Sequence, residues 1–164
     1  MKRRICCFVW LFLLLGTVAA QEKVVKLKIV QTSDIHGNYY PHDFILQKDA
    51  AGSLARVYAF VQKERETYKD NLILLDNGDI LQGQPTAYYY NYIDTVSPHL
   101  TAEMLNYMGY DAWTLGNHEF NFGVDKLQSI IDQADMPVLA ANIKNADGTY
   151  TYYTVYKGVS SPTG

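Results

Sequence analysis

The sequence predicts a layered α/β fold on three observations. Short apolar runs alternate with stretches of helical periodicity. Turn-forming residues separate them. Three polar clusters, Asp34-Ile35-His36, Asn77-Gly78-Asp79 and Gly116-Asn117-His118-Glu119, each follow the end of an apolar run. In sheets of this class ligands gather beyond the carboxyl ends of the strands, so clusters far apart in sequence can converge in space.

The elements follow in order. Val24 to Gln31 alternates Val25, Leu27 and Ile29 with Lys26 and Lys28, which predicts a half-buried strand with the apolar residues inward. Residues 37–52 are loop-like, with Gly37-Asn38, Pro41 and Gly52 as breakers. Ser53 can cap a helix whose apolar positions are Leu54, Val57, Tyr58 and Val61 and whose far end, Lys63 to Lys69, is solvated. Leu72-Ile73-Leu74-Leu75 is a short continuous apolar run and reads as a buried central strand. Pro98 stands where a second helix can begin. Thr101, Met104, Leu105 and Met108 carry its periodicity and Gly109 ends it. Asp111 to Leu115 forms a brief strand. Leu127, Ile130, Ile131 and Ala134 share one face of a third helix, and Pro137-Val138-Leu139-Ala140 gives a fourth strand.

Residues 1–20 read differently. Lys2, Arg3 and Arg4 precede an apolar core, Ile5 to Leu15, and then the small residues Thr17-Val18-Ala19-Ala20. This is the layout of a secretory signal peptide, with cleavage expected near Ala20 and a secreted or periplasmic product. The apolar run is shorter than the roughly 20 residues a membrane span needs. Both cysteines, Cys6 and Cys7, lie in this leader. The remaining chain therefore has neither disulfides nor thiolate metal sites, and any metal must use oxygen and imidazole. Losing the three basic residues of the leader leaves 11 basic against 17 acidic, a net charge of −6. That balance excludes an electrostatic footprint for nucleic-acid polymers. No membrane or protein partner is inferred for residues 21–164, which suffice for one modest domain.

In order, the clusters offer carboxylate, imidazole, carboxylate, amide and imidazole, a ligand set for hard-to-borderline divalent metals. Alternate residues of an extended Asp34-Ile35-His36 would share a face and could grip one ion. Asp79 follows a glycine that lets the chain turn tightly, and its two oxygens could bridge a pair of cations, or else it merely terminates the strand, which is the better reading of this residue taken alone. Asn117 offers a neutral oxygen, or else occupies a left-handed turn. His118 could donate a proton to the leaving oxygen of a phosphate ester, or else cap a helix. Glu119 fits better as an orienting group than as a ligand.

Asn77-Gly78-Asp79-Ile80-Leu81-Gln82-Gly83-Gln84-Pro85 is similar to the N-G-D-x-x-Q-G-x-P signature of the secreted 5′-nucleotidase family. Leu115-Gly116-Asn117-His118-Glu119-Phe120 matches that family as closely. From about Ile29 to Asn142 the chain resembles the metallophosphoesterases. The resemblance implies a metallophosphoesterase-type α/β sandwich, with residues 21–164 as the N-terminal part of a calcineurin-like domain. It implies two divalent ions (Mn, Zn, Fe, Mg or Co) and a nucleotide or other phosphoester substrate. Asp34 and His36 would bind the first metal, Asp79 would bridge both and Asn117 would bind the second. His118 would be the acid for the leaving group, while the metals polarise the phosphoryl oxygens and activate water.

The family's later G-H-x-H-like histidines and its nucleoside-clamping domain have no counterpart here: the four histidines are His36, His42, His99 and His118. The isolated chain is thus expected to be a weak enzyme or a non-catalytic, metal- or nucleotide-binding remnant. Asn121 stands where many 5′-nucleotidases place an Asp beside the catalytic histidine. Asn can orient an imidazole but cannot stabilise its cation by charge. This departure, with the loop Tyr39-Tyr40-Pro41-His42-Asp43, resembles the 2′,3′-cyclic-nucleotide phosphodiesterase/3′-nucleotidase branch. His42 and His99 are expected at the surface. The Tyr88-Tyr89-Tyr90-Asn91-Tyr92 run is expected to cover the core or an adjoining surface, more than to stack a base.

Overall fold

The computed structural model describes residues 24–140, 142–144 and 146–149. The proposed leader, residues 1–20, and the Tyr/Thr-rich tail beyond residue 149 lie outside these. The elements begin with β1 (Lys28–Thr32), the two-residue strands β2 (His42–Asp43) and β3 (Lys48–Asp49), and helix α1 (Leu54–Tyr68). They continue with β4 (Leu72–Asp76), α2 (Pro85–Tyr92), α3 (Leu100–Met108), β5 (Ala112–Thr114), α4 (Val124–Ile131) and β6 (Val138–Leu139). Single-turn 3₁₀ segments lie at Lys69–Asn71 and His118–Phe122.

The apolar run at 72–75 occupies the centre because it can be buried from both edges. β4 pairs in parallel with β1 on one side and β5 on the other, and β6 completes the order β1-β4-β5-β6. Leu72 and Leu74 face the helical layer, where Leu54 and Val61 of α1, Leu105 of α3 and Leu127 of α4 meet Trp113 of β5. Ser53 caps α1, its hydroxyl accepting the Arg56 N–H. Gly109 ends α3 in the left-handed conformation at φ 67°. Arg65 of α1 donates to the carbonyls of Met108 (2.7 Å) and Gly109 (2.9 Å), satisfying acceptors at the end of α3 and joining the two helices.

Several expectations are corrected. The first strand starts only at Lys28, and its faces are reversed: Val25, Leu27 and Ile29 are exposed while Val30 packs on the core. The pairing register decides this. Val30 lies opposite Leu74 on the helical side, and Ile29 lies opposite Ile73 on the other. Lys28 tolerates the inner side by laying its chain beside Phe60 and Tyr68 and pairing with Glu64 at 2.9 Å. The loop at 37–52 contains the small β2–β3 hairpin. The tyrosine run forms α2, with Pro85 in its first turn, but Tyr88, Tyr89 and Tyr92 are exposed and do not cover the core.

His99 is buried, not superficial. Its Nδ1 accepts the Thr101 N–H at the start of α3, and its Nε2 faces Asn91 Oδ1 at 3.3 Å. These roles require the neutral ring, and burial pushes its pKa down from 6.5 to about 4. Asp76, at the end of β4, is shifted the other way. Burial raises its pKa from 3.8 to about 6, against the lowering effect of hydrogen bonds from Thr32 and Gly78.

These two shifts give opposed linkage. The stability associated with the raised Asp76 is fully present below pH 3.8 and is lost as pH rises through 6. That associated with the depressed His99 is fully present above pH 6.5 and is lost as pH falls through 4. Between pH 4 and 6 they offset each other. Urea titrations in chelator should therefore show Asp76→Asn gaining stability with rising pH, at about 1.4 kcal/mol per pH unit relative to the parent. His99→Asn should show the opposite slope. Parallel profiles for both variants and the parent would refute the opposition.

Candidate metal centre

The pairing of β1 with β4 does not stop at Thr32 and Asp76, the last residues in register. Thr32 O accepts the Asn77 N–H (2.8 Å) and Gly78 O accepts the Asp34 N–H (3.0 Å). Asp79 O then accepts the His36 N–H and Ile80 O the Gly37 N–H, each at 2.9 Å. The two exit loops are laced along the whole length that carries the first two clusters.

The third cluster is brought in by close backbone packing. A Cβ on Gly78 (φ +90°) would collide with Gly116 N, and a Cβ on Gly116 would collide with the Asp79 carboxylate. Glu119, fully buried, fastens the contact. Its Oε2 accepts the N–H groups of Gly116 (2.6 Å) and Asp79 (2.8 Å), and its Oε1 those of Ile80 (2.7 Å) and Leu81 (3.3 Å). The orienting role expected for Glu119 agrees with this geometry. Asp79 Oδ1 in turn accepts the His118 N–H at 2.8 Å.

The result is a three-sided group of donors. Asp34, His36 and Asp79 each offer one ligand atom, and these atoms lie within 4.8 Å of one another. The segment 34–36 is not extended as the sequence reading supposed. Asp34, His36 and Asp79 all have left-handed φ, at 56°, 50° and 59°. Their side chains converge through the turn, not through strand alternation. His36 Nδ1 lies 3.0 Å from Gln82 O and donates to it, leaving the Nε2 lone pair free, 3.7 Å from Asp34 Oδ1. The Ser33 hydroxyl donates to Asp34 Oδ2. One imidazole and two carboxylates, held from behind and open in front, fit a divalent cation.

His118 adjoins this group, its ring edge-on to that of His36 with centroids 5.2 Å apart. The Asn121 amide nitrogen donates to His118 Nδ1 at 3.0 Å, so the neutral ring carries its proton on Nε2. Asn117 is exposed at the first turn of the 3₁₀ segment, between Gly116 and His118. His42 sits apart on the hairpin, against Phe44 and near Asp49. Two supports escaped sequence reasoning. Gln82 acts through its backbone carbonyl, for which side-chain identity is no guide, and Asp76 follows the apolar run 72–75 with no sequence signal for its buried partner Thr32 or for Tyr110 beyond it.

Glu119→Gln would set an amide N–H₂ against backbone N–H groups that now share a carboxylate. Denaturation in urea should show a loss on the order of 3 kcal/mol. A loss below about 1 kcal/mol, the worth of one ordinary hydrogen bond, would mean that the carboxylate does not fasten the loops.

Residues 27–163 match the family model described as calcineurin-like phosphoesterase. Over 140 residues the chain is 41% identical to the trifunctional nucleotide phosphoesterase protein YfkN of Bacillus subtilis, covering 80% of this chain and 10% of that protein. The crystal structure of the calcineurin-like phosphoesterase YfkN superposes with a TM-score of 0.71 at 40% identity, covering 77% of this chain and 40% of that one. The 2′,3′-cyclic-nucleotide 2′-phosphodiesterase/3′-nucleotidase of Haemophilus influenzae is 37% identical over 145 residues, covering 85% of this chain and 22% of that enzyme. The 5′-nucleotidase of Rattus norvegicus is 33% identical over 144 residues, covering 82% and 24%. The chain thus spans less than a quarter of the length of these curated relatives, and within that span it belongs to the calcineurin-like phosphoesterase family.

Proposed function

We propose that this chain carries part of the catalytic centre of an exported, metal-dependent phosphoester hydrolase acting on nucleotides, closest to the 2′,3′-cyclic-nucleotide phosphodiesterase/3′-nucleotidase branch. The convergence of Asp34, His36 and Asp79 beside the His118–Asn121 pair is the observation that carries this reading. Asp34, His36, Asp79 and Asn117 would be the residues that hold the divalent ions. When bound, the ions supply Lewis-acid polarisation of the phosphoryl oxygens and lower the pKa of water.

His118 is outside the ligand set and acts as the general acid. A water oxygen forms the new bond to phosphorus while the bond from phosphorus to the ester oxygen breaks. His118 in its imidazolium form gives its Nε2 proton to that departing oxygen and returns to the neutral ring, and the proton lost by water goes to solvent. In the neutral ring the Asn121 amide donates to Nδ1. In the imidazolium Nδ1 carries a proton as well, which the same amide can accept through Oδ1 by turning over, so Asn121 orients the ring in either state. With Asn in place of a carboxylate, the imidazolium gains no charge stabilisation from this neighbour.

The test is phosphate release by the Mn²⁺-loaded protein from 2′,3′-cyclic AMP, 3′-AMP, 5′-AMP and UDP-glucose, with bound Mn²⁺ measured in parallel. Asp79→Ala should abolish Mn²⁺ binding. His118→Ala should keep the metal and lose about 100-fold or more in turnover. Equal loss of metal and turnover would make His118 a ligand. Metal binding without turnover of any substrate would favour a binding fragment over an enzyme.

A further inference from the structure

Behind the metal cluster lies a second buried polar group that the chemistry above does not use. Asp76, Thr32 and Tyr110 are 2%, 7% and 4% exposed. The Thr32 hydroxyl donates to Asp76 Oδ2 at 2.6 Å, with a longer approach of 3.4 Å to Leu75 O. Its only proton being engaged, it accepts from the Tyr110 hydroxyl at 2.8 Å. Asp76 Oδ1 accepts the Gly78 N–H at 2.9 Å.

Thr32 and Asp76 are the last residues of β1 and β4, and Tyr110 lies in the segment that leads into β5. Thr32 stands two residues before Asp34. Asp76 binds the turn that carries Asp79. β5 leads to Gly116-Asn117-His118, and Asp111, next to Tyr110, binds Leu74 through both its N–H and its carboxylate. The chain from Tyr110 through Thr32 to Asp76 therefore joins the carboxyl ends of β1 and β4, just before they deliver Asp34 and Asp79, to the segment that enters β5.

We infer that Tyr110, Thr32 and Asp76 are positioning residues which set the spacing of the metal-bearing loops and so raise the affinity of the centre for a divalent cation. The inference rests on the metal-site reading proposed above. Removing the Thr32 hydroxyl leaves two buried partners unsatisfied, and a shift of the β1 end against the β4 end to accommodate them would move Asp34 relative to Asp79. Supports of this kind are typically worth 10- to 100-fold in metal affinity.

Mn²⁺ affinity, read from the electron paramagnetic resonance of free Mn²⁺ well below the unfolding temperature, tests it on the full chain. Thr32→Val should weaken binding by about 10- to 100-fold, while Thr32→Ser, which restores the hydroxyl, should bind as the parent does. Tyr110→Phe should weaken binding in the same direction and provides the test if Thr32→Val fails to fold. A lowered melting temperature with unchanged affinity in the folded variants would overturn the inference by reducing the group to a structural role. Asp79→Ala separates the two readings. If it abolishes binding while Thr32→Val and Tyr110→Phe do not weaken it, only the positioning inference fails; if binding survives it, or the parent binds no Mn²⁺, the metal-site reading itself falls.

Discussion

The buried carboxylate of Glu119 joins two segments that the sequence separates by about 40 residues. Four backbone N–H groups point at its two oxygens, three from the turn after β4 and one from the turn after β5. A carboxylate can accept from all of them at once, whereas a neutral side chain of the same shape would bring donors of its own. The rest of the site follows from that fastening. It holds Gly116 against Gly78, this contact lets the His118 N–H reach Asp79, and Asp79 then faces Asp34 and His36 across the laced loops of β1 and β4.

Such a fastening concentrates negative charge. Asp76 is raised chiefly by burial, and Glu119 and Asp34 both add to the rise. The Glu119 and Asp34 carboxylates thus oppose the ionisation of Asp76. A cation seated among Asp34, His36 and Asp79 would offset that repulsion.

The parts of this arrangement that were legible in the sequence are those governed by local chemistry. Leu72 to Leu75 could only be an inner strand, Ser53 and Gly109 punctuated their helices as expected, and the three clusters fell at strand ends where α/β sheets assemble sites. The errors arose where tertiary pairing overrode local pattern. Alternation in β1 indicated which residues share a face, but only the register with β4 decided that Val30 and not Ile29 goes inward. His99 looked like an isolated polar residue because its partners, Asn91 and the Thr101 N–H, are chosen by the packing of α2 against α3. The role of Asp76 was hidden for the same reason, since Thr32 and Tyr110 are 44 and 34 positions away in sequence.

The backbone itself marks the site. Five non-glycine residues among those described have φ in the left-handed region, and three of them are Asp34, His36 and Asp79. Side chains other than glycine adopt that region at a cost, which persists only where surrounding structure over-determines the conformation. Here it does. The N–H groups of Asp34 and His36 and the carbonyl of Asp79 are held by the lacing bonds, and Asp79 is gripped again through its own N–H by Glu119. The left-handed turns allow three donors on two loops to aim at one point, and the hydrogen-bonded scaffold behind them keeps that aim before any cation binds.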